Sequence, residues 1–180
     1  MQQPEVDVGF KISWIGFDGK DKTAALTMAG LKDTGEPDEF NETPFSGADI
    51  PGGWFILFCN DFGFVSPQRL ARLSIDGRII ACQVHEGIMF SAAYGYERGK
   101  RVWELAHNAQ QNIDDLSVFG SPPPSFEPVR RRLTRQQEAA AGVDYIFDIP
   151  VEVAAGICGY RYGRMKFEWG TPQFTRLDVS

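Results

Sequence analysis

The chain is poor in side chains that do chemistry. Its 180 residues hold two histidines, His85 and His107, and three cysteines, Cys59, Cys82 and Cys158. No cysteines form a CxxC pair, and the histidines have no HxH, HxxxH or HExxH spacing, so no metal-ligand set can be read. Cys59 and Cys82 sit in apolar, strand-like runs and Cys158 in a predicted helix. That pattern reads as buried reduced thiols in a reducing compartment. The 19 glycines form no GxGxxG or GxxxxGK[ST] and no GxSxG occurs, so neither a phosphate cradle nor a nucleophile elbow has support and no cofactor is expected. No apolar run reaches the roughly 20 residues of a membrane span, and no basic-then-apolar leader opens the chain, so a cytoplasmic location is expected. No internal repeat or low-complexity tract is present.

Positive charge is in the minority. Eighteen Lys and Arg face 24 Asp and Glu, giving a net charge of −6 and a pI near 4.9. Such a surface repels polyanions, which argues against nucleic acid or anionic lipid as ligands and favours a basic protein partner. The apolar share is 43% and the charged share 23%, with 14 Phe, four Trp and five Tyr. This is the composition of one globular domain with a core of large rings.

Patterning predicts a single α+β domain over 1–180, mainly an antiparallel sheet with a central buried strand and helices packed on it. Residues 1–7 read as a loose N-terminus. In 8–17, Phe10, Ile12 and Trp14 alternate with Gly9, Lys11 and Ser13, the period of a half-buried strand. Asp21 is placed to cap a helix that Gly30 ends. The stretch 32–53, acidic and carrying Pro37, Pro44 and Pro51, reads as a long surface loop with a helical turn near 46–50, and as a candidate docking surface. Trp54–Cys59 is apolar at every position and is expected to be buried on both faces. Ser66-Pro67 starts a helix. Strands follow at 78–85, 88–97 and 101–107, with short links that imply an antiparallel meander. Tyr94, Tyr96 and Trp103 are expected in its core. A short strand at 116–119, helices at 125–141 and 151–158, and a last strand at 174–179 complete the prediction.

Four residues near strand ends are candidates for acid/base chemistry: Asp61, His85, Glu86 and His107. A Cys59–His pair is a further option. Both need the side chains to converge in one pocket, and two imidazoles on opposite sides of the sheet would remove the acid/base reading. Arg130-Arg131-Arg132 and Arg135 form a basic patch, read as a solvated helix face paired to Glu127 or Glu138.

Two blocks, Pro51-Gly52-Gly53-Trp54 through Asn60-Asp61 with the meander to His107, and Val143 through Glu152, resemble a group of small, uncharacterised bacterial proteins. The resemblance implies a compact bacterial cytosolic domain and brings no activity, cofactor or catalytic residue. Two functional classes follow: a protein-binding or immunity-like regulatory module with a basic partner, and a small enzyme using His85, His107, Glu86 and Asp61.

Overall fold

A computed structural model describes residues 9–180. The stretch read as a loose N-terminus, 1–7, lies outside them. Nine strands and four α-helices follow in the order β1 (Lys11–Asp18), α1 (Lys22–Ala29), β2 (Leu31–Pro37), β3 (Phe45–Ile50), β4 (Trp54–Cys59), α2 (Pro67–Leu73), β5 (Arg78–His85), β6 (Phe90–Glu97), β7 (Lys100–Asn108), β8 (Ser117–Gly120), α3 (Phe126–Ala139), α4 (Asp148–Cys158) and β9 (Thr175–Val179). The strands make one sheet in the order β2-β9-β3-β4-β1-β5-β6-β7-β8. Every pairing in it is antiparallel.

Local chemistry sets the ends of the elements. The Asp21 carboxylate accepts from the Ala24 N–H at 2.8 Å, and Gly30 closes α1 in the left-handed region at φ 71°. Ser66 caps α2, with Pro67 at its first position; proline costs nothing there because that N–H has no helical partner. Gly95 makes room for a side chain on the neighbouring strand. A Cβ on it would stand 2.1 Å from Trp103 Nε1, since the indole lies across the glycine.

Helices cover both faces of the sheet. Trp14, Ile56, Ile80, Cys82, Trp103 and Leu105 pack with residues of α3 and α4. Ile15, Phe17, Phe55, Leu57, Ile79 and Ala81 pack with Ala25, Leu26, Leu70 and Leu73 of α1 and α2. β4 is buried at all six positions, as its unbroken apolar sequence predicts. Burying each of its large apolar side chains contributes roughly 1.5–3 kcal/mol.

Three expectations need correction. The first strand is not half-buried: β1 lies between β4 and β5 and is buried from Ile12 to Phe17 on both faces. The polar residue at Ser13 is satisfied there by donating its hydroxyl to the Asp61 carbonyl at 2.8 Å. The stretch 32–53 is not a long loop, and its 46–50 segment is strand, not a helical turn. β2 is an exposed edge strand, so it carries no alternation to read. β3 is built from small residues, Ser46, Gly47 and Ala48, and is fixed by β4 and β9. Acids of this stretch are engaged internally: Asp33 pairs with Lys22, Glu36 with Arg176, and Asp38 accepts from Glu42 N, Thr43 N and the Thr43 hydroxyl. Finally, α4 begins at Asp148, ahead of the expected Val151, because Pro150 is tolerated in a first helical turn.

Tyr96 and Trp103 are buried, while Tyr94 is half-buried and donates to Gln83 Oε1 at 2.7 Å. The three rings do not share a face: Trp103 lies toward α3 and α4, Tyr94 and Tyr96 toward α1 and α2.

Candidate functional site

The four acid/base candidates do not converge. Val84 packs on the α3/α4 side, so the next residue, His85, points to the other face, where its ring meets Phe62 edge-on at 5.7 Å. His107 alternates with Trp103 and Leu105 and lies on the α3/α4 side, register-paired with Ser91, whose hydroxyl donates to the Phe147 carbonyl. The imidazoles are therefore on opposite faces of the sheet. The Glu86 carboxylate instead accepts from the Phe10 N–H at 3.0 Å and from the Tyr162 hydroxyl at 2.9 Å. Asp61 accepts from the Gly63 N–H at 2.8 Å and caps a 3-10 turn. Cys59, Cys82 and Cys158 are free and buried. Burial holds the Cys59 thiol far above its ordinary pKa, which suits an inert core residue and not a nucleophile.

His107 has a different position of consequence. It is fully buried. Its Nδ1–H donates to the Asp115 carbonyl at 2.6 Å, and Nε2 meets Asp144 Oδ2 at 2.8 Å. A carbonyl can only accept, which fixes Nδ1 as a donor. The other oxygen of Asp144 accepts from the Phe147 N–H at 3.1 Å, at the entry to α4. One imidazole thus ties β7, the β7–β8 connection and the α3–α4 connection together.

Gln137 on α3 joins the same two connections. Its Nε2 donates to the Ile113 carbonyl at 2.9 Å and to Asp114 Oδ1 at 2.7 Å. Its Oε1 accepts from the Tyr145 and Ile146 N–H groups at 2.8 and 3.1 Å. Between them, His107 and Gln137 fix the end of an open groove at which these two connections meet.

The groove runs between β8 and α3 and has a volume of about 930 Å³. Leu116, Val118, Phe126 and Ile146 form its floor and walls, and Asp114, Glu127 and Glu138 supply acid along it. The cation that lines it, Arg130, is taken up by Glu127 at 2.7 Å. Val118 faces the groove because it pairs with Leu105, which packs on the α3/α4 side. Val118, Ile113 and Val143 are exposed along it. Elsewhere on the basic patch, Arg132 pairs with Glu152, an acid on α4 that the helical spacing within α3 does not point to.

The two edges of the sheet contrast sharply. β2 carries Lys32, Asp33 and Glu36, ends in Pro37 and has a register irregularity against β9, the usual protections of an edge. β8, with four exposed residues, carries no charge: Ser117, Val118, Phe119 and Gly120. Arg101 stacks over Phe119 at 3.9 Å on the far face.

Of these features, sequence alone marks β8 as a short strand and His107 as a residue of interest. Asp144 and Gln137 carry no such mark as partners, for neither sits in a motif and both act across long separations. Comparison with protein families, with curated proteins and with solved structures finds no match to this chain. Among the described residues no helix is long and apolar enough to cross a membrane.

Proposed function

We propose that this domain is a protein-binding module that adds an extended segment of a basic partner beside β8, over the groove against α3. The observation that carries the reading is the uncharged, exposed edge at β8, set against the charged and irregular edge at β2. An open strand edge offers backbone hydrogen bonds to an incoming strand, and the adjoining groove offers a site for alternate side chains. Val118 on the groove face and Phe119 on the opposite face supply the apolar anchors, and Asp114 and Glu138 favour Lys and Arg in the partner. Pre-fixing of one groove end by His107 and Gln137 lowers the ordering cost of binding. A module of this kind regulates or neutralises its partner by covering it, as immunity proteins do. The three free, buried cysteines support a reducing compartment such as the cytoplasm for this encounter.

A photo-crosslinker placed at position 118 in the intact protein tests the reading in its native cells. A basic protein captured there, lost on the Phe119→Lys change and weakened by added salt, supports it. Capture that is equally strong after Phe119→Lys, or that follows a crosslinker at position 34 on β2, overturns it.

A further inference from the structure

We propose that a second cavity, at the end of β1, β4 and β9 remote from the β8 groove, binds a small zwitterionic aromatic compound of the chemical class of the free aromatic amino acids. The cavity has a volume of about 250 Å³, room for one single or double ring. Phe58, Tyr160 and Phe174 are its buried walls, and Phe10, Phe40 and Met165 stand exposed at its mouth. The walls are locked to one another edge-on: Tyr160 to Phe174 at 5.8 Å and Phe58 to Phe174 at 6.3 Å. Trp14 holds Tyr160 from beneath at 5.3 Å. A rigid box of rings is the setting in which a flat ligand gains edge-to-face contacts at little ordering cost.

The polar groups specify the rest of the ligand. Tyr160 is only 2% exposed, yet its hydroxyl makes no hydrogen bond to another described residue. Burial holds this phenol well above its ordinary pKa, so it stays a donor. Glu39 and Arg164, both exposed, line the same cavity and form no ion pair with each other or with another described residue; the Arg164 guanidinium lies over the Phe167 ring at 5.7 Å. A carboxylate and a guanidinium so placed on a single aromatic cavity match an ammonium and a carboxylate on a single aromatic ligand. Asn60 also lines the cavity. It is held by donating its side-chain amide to the Asn41 and Thr43 carbonyls at 2.5 and 2.7 Å.

Calorimetry of the full chain with tryptophan, tryptamine, indole-3-acetate, indole and N-acetyltryptophanamide tests the proposal. Tryptophan is expected to bind tightest. Arg164→Gln should weaken tryptophan and indole-3-acetate about tenfold while leaving tryptamine unchanged, and Glu39→Gln should weaken tryptophan and tryptamine about tenfold while leaving indole-3-acetate unchanged, because each substitution removes one charge-assisted hydrogen bond to the ligand. Tyr160→Phe keeps the ring and the fold, checked by its thermal transition, and should weaken tryptophan severalfold. Three results each overturn the proposal: no saturable binding by any probe; indole or N-acetyltryptophanamide binding as tightly as tryptophan; or tryptophan affinity unmoved by all three substitutions.

Discussion

His107 and Asp144, separated by 37 residues, meet at 2.8 Å with the imidazole fully buried and the carboxylate nearly so. The contact fastens the α3–α4 connection to β7, and with the Asp115 carbonyl it sets one end of the β8 groove. Removing one member of a buried pair leaves the other uncompensated. His107→Ala is therefore expected to cost about 3 kcal/mol in chemical denaturation. Hydrogen exchange should report faster opening of 112–116 and 144–147 ahead of the sheet. If those segments keep their protection, His107 does not hold the groove.

The exposed β8 residues lie outside both cores. Val118→Lys and Phe119→Ser are expected to change stability by no more than about 0.5 kcal/mol. Thermal unfolding checks this, and it separates loss of partner binding from loss of fold.

Gly95 is a steric requirement. Gly95→Ala places a methyl where the Trp103 indole lies, and forcing an overpacked site apart costs roughly 1–3 kcal/mol. A lower melting temperature together with an altered near-ultraviolet signal from Trp103 is expected. The Trp103→Leu background should relieve the penalty.

All three thiols are buried, and burial pushes that of Cys158 up to about 12. A thiol reagent at mildly alkaline pH should label none in the native protein and three after denaturation. Rapid native labelling of Cys59 would show that it is a reactive site.

Asp33 gives a pH-dependent contribution. Burial tends to raise its pKa, but the hydrogen bonds and charge of Lys22, with Thr175 and the Gly35 N–H, outweigh that and hold it below its ordinary value. A depressed carboxylate stabilises the fold above its unfolded pKa and loses that effect as pH falls through the folded one. Asp33→Asn should therefore cost about 0.5–1 kcal/mol at neutral pH, the size of a partly exposed pair, with the gap from wild type closing in acid. An unchanged gap across that range would rule out ionisation as the source.

Local signals are readable wherever the residues concerned are neighbours in sequence. Asp21 and Gly30 frame α1, Ser66-Pro67 opens α2, and the apolar run of β4 marks a strand covered on both faces. The signals fail where neighbours in space supply the reason for the structure. β2 has no apolar alternation because only Leu31 is buried, so its polar composition reads as loop, although Val179, Asp178 and Leu177 lie opposite it. β1 reads as half-buried because Lys11 and Ser13 fall on the same side as Ile15 and Phe17, and Ser13 is accepted there through the Asp61 carbonyl. The histidines draw attention as chemistry-bearing residues, but their faces depend on register. The ring box around Tyr160 leaves only a weak trace, the aromatic density of Tyr160, Tyr162, Phe167, Trp169 and Phe174.

The place of β9 in the sheet has a consequence for the order of assembly. It lies between β2 and β3 and reaches back across 142 residues to Thr34. During synthesis β2 is made well before β9, its one pairing partner among the described residues. Until then β2 has no strand beside it, and the outer side of β3 is open to any other strand. Closure over so long a span is entropically slow, which makes the emergence of Thr175–Val179 the event that seals this side of the nascent sheet against association with other chains.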